Sequence, residues 1–115
     1  MGYNEHLALR VRQTLASYDG VSERAMFGGL AFMLNGHMCC GVVGDELVAR
    51  IGPTQAAAAV TEPYTRPMDF TGRPFKGFVF VQPSGLQGER ALRRWNEEAC
   101  AYVATLPDKG SSLPF

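Results

Sequence analysis

The amino-acid sequence predicts a two-layer α+β domain, in which an antiparallel β-sheet is covered by an N-terminal and a C-terminal helix. Three observations lead to this fold class. Amphipathic helical repeats lie near both ends of the 115-residue chain. Between them, runs of alternating apolar residues are joined by the tight-turn pairs Asn35–Gly36 and Gly44–Asp45, which favour consecutive antiparallel strands. The content of 46% apolar and 19% charged residues is typical of a chain with a folded core.

The first predicted element is a helix over about residues 5–18. Leu7, Val11 and Leu15 recur at helical spacing, so one face of this helix is apolar. Asn4 has the residue type that caps a helix N-terminus, and Asp19–Gly20 ends the helix.

Three strands are predicted next, over about residues 25–34, 37–43 and 46–51. Asn35–Gly36 is the strongest hairpin signal in the chain, because both residues tolerate a positive φ. Gly44–Asp45 provides a second tight turn. The three strands are therefore expected to form an antiparallel meander.

The second half of the chain contains two more predicted helices and one clear strand. Pro53 is placed in the first turn of a short alanine-rich helix. Residues 62–75 are expected to be irregular, with a short strand at 68–70, and a strand follows over 76–83. A long amphipathic helix over 88–107 completes a domain of residues 1–107, and residues 108–115 are expected to form a flexible tail.

Gly28 and Gly29 are interpreted as structural glycines of the first strand. A phosphate-binding loop needs glycines that lead into a helix, whereas these two are followed by further strand. A glycine inside a strand marks a bulge or the close approach of another backbone. We therefore expect close packing at this point, with a helix across Gly28.

The three cysteines, Cys39, Cys40 and Cys100, indicate a reduced cytoplasmic protein, because their number is odd and two are adjacent. On a regular strand His37 and Cys39 share one face and Cys40 points to the other. Two ligands on one face are too few for zinc, so we expect buried structural cysteines and neither metal nor cofactor. A ligand, metal or thiol-active site around His37, Cys39 and Cys40 is the alternative hypothesis.

Neither catalysis nor nucleic-acid binding is favoured by the sequence. No serine–histidine–acid set or paired-acid arrangement can be identified, so we expect no enzyme activity. The chain has eleven basic and eleven acidic residues, and Arg90, Arg93 and Arg94 are interleaved with glutamates. This pattern predicts a solvated, ion-paired helix face rather than a nucleic-acid site. No segment approaches the roughly 20 apolar residues of a membrane helix.

Four blocks of sequence carry a family resemblance. In chain order they are ERAMFGGLAFMLNGHMCCGV (23–42), LVARIGP (47–53), RPMDFTGRPFKGFVFV (66–81) and LRRWNEEACAYVATLP (92–107). Together they resemble the TfoX/Sxy family, in particular its N-terminal domain without the C-terminal domain. The resemblance implies an antiparallel α+β fold of the secretion-chaperone-like kind, which often dimerises. Longer members look like regulators of natural competence that promote transcription with the cyclic-AMP receptor protein.

The predicted function is therefore that of a non-enzymatic regulatory or protein-interaction module. Its partner is expected to be another protein or a second copy of the chain. The contact surface is predicted on the sheet face or edge that the helices leave uncovered. Candidate contact residues are Arg24, Met26, Phe27 and Phe75.

Overall fold

The computed structural model describes residues 3–26, 28–70 and 73–106, with side chains for all of these except 68–70 and 73–76. Phe27 and the predicted tail over 108–115 lie outside the described residues. The elements are α1 (Glu5–Thr14), β1 (Val21–Met26), β2 (Gly29–Leu34), β3 (His37–Val43), β4 (Glu46–Arg50), α2 (Pro53–Ala59), β5 (Thr65–Phe70), β6 (Arg73–Val81) and α3 (Glu89–Val103), with a 3₁₀ turn at Pro83–Leu86.

The strands form one antiparallel sheet in the order β1-β2-β3-β4-β6-β5. The first four are neighbours in both sequence and space, which the turn signals predict for β2, β3 and β4. β6 lies between β4 and β5, because α2 separates β4 from the β5–β6 hairpin. The α+β class and the antiparallel sheet are therefore confirmed, and β1 and β5 form the two edges.

The helices cover one face of the sheet. α3 contacts α1 and the central strands β3 and β4, while α2 packs against β6. The core beneath them is formed by residues such as Phe32, Leu47 and Val79 from the sheet and Leu92 from α3, all at most 1% exposed. Within the described residues, no helix combines the length and the apolar character needed to cross a bilayer.

Local signals in the sequence account for several element boundaries. The Asn4 side chain accepts a hydrogen bond from the Leu7 N–H at 3.0 Å, which confirms the predicted cap of α1. Asn35 and Gly36 have φ values of 54° and 88°, as a two-residue hairpin of the predicted kind requires. Pro53 is the first residue of α2, where its missing N–H costs no hydrogen bond.

The continuous strand predicted over 25–34 is wrong. The chain reverses between Met26 and Gly29, which face each other as the last pair of a β1–β2 hairpin. Gly28 has a φ of 73° in this turn, and a Cβ added there would meet nothing within 4 Å. The helix expected across Gly28 is therefore not found there. Apolar alternation continues through the turn, which hides the turn in the sequence.

Gly29 is constrained by the backbone of the neighbouring strand. A Cβ on Gly29 would collide with the carbonyl oxygen of Val42 in β3 and would lie 3.1 Å from the Cα of Val43. Gly28 thus supplies a left-handed conformation and Gly29 a close approach between strands.

The segment predicted as irregular apart from 68–70, residues 62–75, contains all of β5 and the beginning of β6. Pro67 lies within β5 and pairs with Val79, and the register shifts between Pro67 and Asp69. Proline is tolerated here because β5 has a neighbour on one side only. The prolines suggested an irregular segment, but only the position of Pro67 at an edge determines that it fits a strand.

We predict that Gly29→Ala lowers the free energy of unfolding by about 2 kcal/mol, because overpacking against a fixed backbone is costly. Gly28→Asn is the matched control and is expected to cost about 1 kcal/mol or less, since asparagine tolerates the left-handed region. Chemical denaturation of both variants measures the difference. Equal costs at the two positions would contradict the separate roles given to these glycines.

Candidate functional site

The two adjacent cysteines lie at a β-bulge in β3. Met33 pairs with Met38 and Phe32 pairs with Cys40, so Cys39 is an extra residue without an opposite partner. The bulge shifts the alternation of side chains by one, and Cys39 and Cys40 both join the core beneath the helices. The prediction that they point to opposite faces is therefore wrong, because a regular strand was assumed.

All three cysteines are free and buried. The Sγ atoms of Cys39 and Cys100 are 3.4 Å apart, which joins β3 to α3. The contact with Cys39 and burial raise the pKa of the Cys100 thiol. For Cys39 the contact with Cys100 lowers the pKa, but the hydrogen bond with Cys40 and burial outweigh it, so the net shift is upward. Both thiols are protonated and shielded at neutral pH, which disfavours nucleophilic chemistry.

A metal centre around His37, Cys39 and Cys40 is also not favoured. In the part of the chain that the structure describes, no three His, Cys, Asp or Glu side chains come together in a way that could hold a metal ion. His37 is half-buried at the start of β3, whereas Cys39 and Cys40 are at most 1% exposed. The three residues therefore do not line a common opening.

One open cleft of about 280 Å³ lies beside the N-terminus of α1, and its lining comprises Asn4, His6, Leu7, Arg10, Asp45, Pro83 and Leu86. Asn4, Arg10 and Asp45 of this lining bind each other or the backbone. Asn4 Nδ2 donates to Asp45 Oδ1 at 3.0 Å, and Arg10 Nη2 donates to the Leu86 carbonyl at 2.7 Å. These bonds attach α1 to the β3–β4 turn and to the 3₁₀ turn, so the polar groups act in the fold.

A second cleft, of about 210 Å³, includes Glu62, Arg94 and Trp95 in its wall. Arg94 donates two hydrogen bonds to the Glu62 carboxylate, at 2.9 and 2.7 Å, and a further one to Glu98. The hydrogen bonds from Arg94 lower the pKa of Glu62. The ion-paired helix face predicted for this segment is present in the pairs Glu89–Arg93 and Arg94–Glu98. Arg94 is therefore a link between α3 and the segment after α2.

The sheet face opposite the helices, which we call the open face, has its own apolar cluster. Its buried members are Ala31, Met33, Met38, Val48 and Phe80, and Met26, Val43 and Phe78 pack against them half-buried. The guanidinium of Arg66 lies 4.2 Å from the Phe80 ring centroid and binds Glu46 at 2.6 Å. The buried members of the cluster are at most 8% exposed, so they offer little free apolar area.

Strand β1, by contrast, is exposed along most of its length. Residues 22–25 are all exposed, and β1 has a neighbour on one side only. Arg24 lies on the open face opposite Ala31 and has no ion-pair partner among the described residues. Met26 ends the strand beside the cluster of the open face. Of the other candidate contact residues, Phe27 and the side chain of Phe75 lie outside the described residues.

Alternate residues of β1 hydrogen-bond to β2, and this alternation determines which backbone groups of β1 point to the open edge. Met26 and Gly29 close the hairpin, and the Asn35 N–H donates to the Gly20 carbonyl at 3.0 Å. Even-numbered residues of β1 therefore bond to β2, since hydrogen-bonded pairs alternate in an antiparallel ladder. The N–H and C=O groups of Val21, Glu23 and Ala25 point to the open edge.

The two edges of the sheet differ in how they would receive another strand. β5 carries Pro67 and a register shift, which are devices that disfavour pairing at an edge. β1 pairs with β2 over six residues in regular register and contains neither device. The β1 edge is therefore the one suited to accept a partner strand.

The single acidic side chain of β1 is neutralised from within the same chain. Arg12 of α1 binds the Glu23 carboxylate through two hydrogen bonds of 2.5 and 2.9 Å. The hydrogen bonds from Arg12 lower the pKa of Glu23. The charge that would otherwise repel an approaching strand is thus compensated. The Ser22–Ala25 edge, with Arg24 exposed, is the candidate functional site.

We predict that the thiols of the folded chain react slowly with a disulfide reagent such as DTNB at pH 8, because all three are buried. All three are expected to react at the rate of a free thiol once the chain is unfolded in denaturant. The absorbance of the released thiolate product, followed over time, measures the rates for the folded and the unfolded chain. A native thiol that reacts as fast as free cysteine would contradict the buried arrangement.

A pH dependence of stability follows from the raised thiol pKa values. Unfolded thiols release protons above about pH 8.5, while Cys39 and Cys100 stay protonated in the fold. The free energy of unfolding therefore keeps its full value below that pH and decreases above it. We expect a loss approaching about 1 kcal/mol per pH unit for each thiol, measured by denaturation between about pH 8.5 and 10. The slope should be smaller in Cys39→Ala and Cys100→Ala, and an unchanged slope would contradict the assignment.

Comparison with known proteins agrees with the architecture. The family model described as the TfoX N-terminal domain matches residues 13–102, which span most of the chain, from α1 to α3. No curated protein matches the sequence. No solved structure matches it either. The matched range contains the complete sheet, the β3 bulge and the β1 edge, and the chain belongs to the TfoX N-terminal domain family.

Proposed function

We propose that this domain is a non-enzymatic interaction module that binds a protein partner by strand addition at the β1 edge. The observation that carries the proposal is the regular, exposed edge of β1. The opposite edge of the sheet, β5, contains Pro67 and a register shift. Membership of the family supports a regulatory or interaction role at the level of the family.

Strand addition suits the chemistry of this edge. An added strand hydrogen-bonds to the backbone groups of Val21, Glu23 and Ala25, and these bonds give affinity without depending on sequence. Specificity comes from side chains that flank the new strand. Arg24 offers an uncompensated cation on the open face, and Met26 offers an adaptable apolar side chain at the end of β1.

The remaining polar groups favour binding over catalysis. Glu23, Glu46 and Glu62 each bind an arginine, and the arginine partners fix α1, β5 and α3 in place. The cysteines are buried among apolar side chains of the core. This distribution supports a rigid domain whose exposed edge serves recognition.

Site-specific photo-crosslinking in cells tests the proposal. A benzophenone amino acid placed at position 24, on the β1 edge, is expected to give covalent adducts with a partner, which mass spectrometry identifies. The matched control carries the same group at position 93, where the native arginine is 51% exposed on the helical layer.

The proposal requires adducts that depend on position 24 and disappear when Ala25 is also replaced by proline, which removes an N–H from the open edge. Adducts of equal yield at positions 24 and 93, or adducts that persist with the proline, would contradict it.

A further inference from the structure

We infer that the strand added at β1 is β1 of a second copy of this chain, in a symmetric pair of sheets centred on Glu23. The inference rests on the proposed function and names its partner. It requires that the same edge can serve both members of a pair, as a twofold-symmetric interface does. β1 meets this condition because it is regular, exposed and charge-compensated.

Symmetry restricts the register of such a pair. Two antiparallel strands related by a twofold axis have the axis perpendicular to the sheet, so residues opposite each other lie on the same face. Residue numbers of opposite partners must therefore add to an even number. The two registers that keep most of β1 paired are centred on Glu23 or on Arg24.

Hydrogen bonding favours the register centred on Glu23. In that register Glu23 faces the partner's Glu23, and Val21 faces the partner's Ala25, so every outward-facing residue of β1 meets another outward-facing residue. In the register centred on Arg24, the outward-pointing N–H and C=O groups of Val21 lie beyond the end of the partner strand. The first register therefore forms the larger number of backbone hydrogen bonds.

The charges favour the same register. With Glu23 at the centre, Arg24 lies opposite the partner's Ser22, whereas the other register places Arg24 opposite the partner's Arg24. Like charges directly opposite each other destabilise a strand pair. The two central glutamates are each held by Arg12 of their own chain, so the helix side of the junction carries alternating charges. Each register thus places one like-charged pair at its centre, but the two glutamates carry compensating arginines, whereas two facing Arg24 side chains would have no such compensation.

Sedimentation equilibrium of the purified full chain over a wide concentration range tests the inference. The wild-type chain is expected to dimerise reversibly, and Ala25→Pro is expected to be monomeric at the same concentrations. The N–H of Ala25 points away from β2, so the proline spares the β1–β2 ladder, and circular dichroism and thermal unfolding verify that the variant is folded. Ala25→Thr keeps the N–H and is expected to dimerise like the wild type.

A pair of Ser22 variants tests the register without altering the backbone. Ser22→Glu places two carboxylates opposite the two Arg24 side chains of the dimer, and the dissociation constant is expected to fall about 2- to 30-fold. Ser22→Arg is expected to raise the dissociation constant by a similar factor. Ser22 is exposed, so neither change disturbs the core.

A wild-type chain that is monomeric at every concentration would overturn the inference, and so would a dimer that Ala25→Pro leaves intact. Equal dissociation constants for the two Ser22 variants would overturn the register. These failures differ from failure of the proposed function. A monomer that still gives edge-dependent crosslinks to another protein contradicts the second copy alone, whereas loss of all edge-dependent crosslinks contradicts strand addition itself.

Discussion

The packing of α3 against the centre of the sheet is the contact on which the rest of the structure depends. Leu92, Trp95, Ala99 and Val103 of α3 are nearly inaccessible to solvent and belong to one core with the helix-facing residues of the sheet. Burial of apolar area is the main favourable term in folding, so the helical layer determines which sheet face is the interior. The polar link Asn96 Nδ2 to Thr14 Oγ1, at 2.7 Å, then attaches α1 to α3.

Covering a single face has a consequence for the edges of the sheet. The helices protect the broad apolar surface but leave both edge strands without a second neighbour. β5 is protected by Pro67 and its register shift, while β1 remains regular and exposed. An unprotected edge has unpaired backbone groups that another strand can satisfy. The geometry that stabilises the core therefore also produces the surface suited to binding.

Local signals predicted the parts of the fold that depend on a few neighbouring residues. Asn35–Gly36, Pro53 and the cap at Asn4 act through backbone conformation and short-range hydrogen bonds, so their effects could be read from sequence. The β1–β2 turn was missed because apolar residues continue through Gly28. Residues 65–67 of β5 were missed because the fit of a proline in a strand depends on which strands lie beside it. Within the candidate site, Arg24 was named as a contact residue from the sequence, but the exposure of β1 and the direction of its free backbone groups were not anticipated.

The sequence by itself determined the α+β class, the antiparallel meander of β2, β3 and β4 and the apolar face of α1, because periodicity and turn chemistry are local properties. Only the tertiary structure decided that Cys39 and Cys40 both enter the core, since a bulge depends on the register with β2. It also decided that Arg12 compensates Glu23 and that β1 is an open edge. These features require contacts between residues distant in the chain, and no short stretch of sequence encodes such contacts.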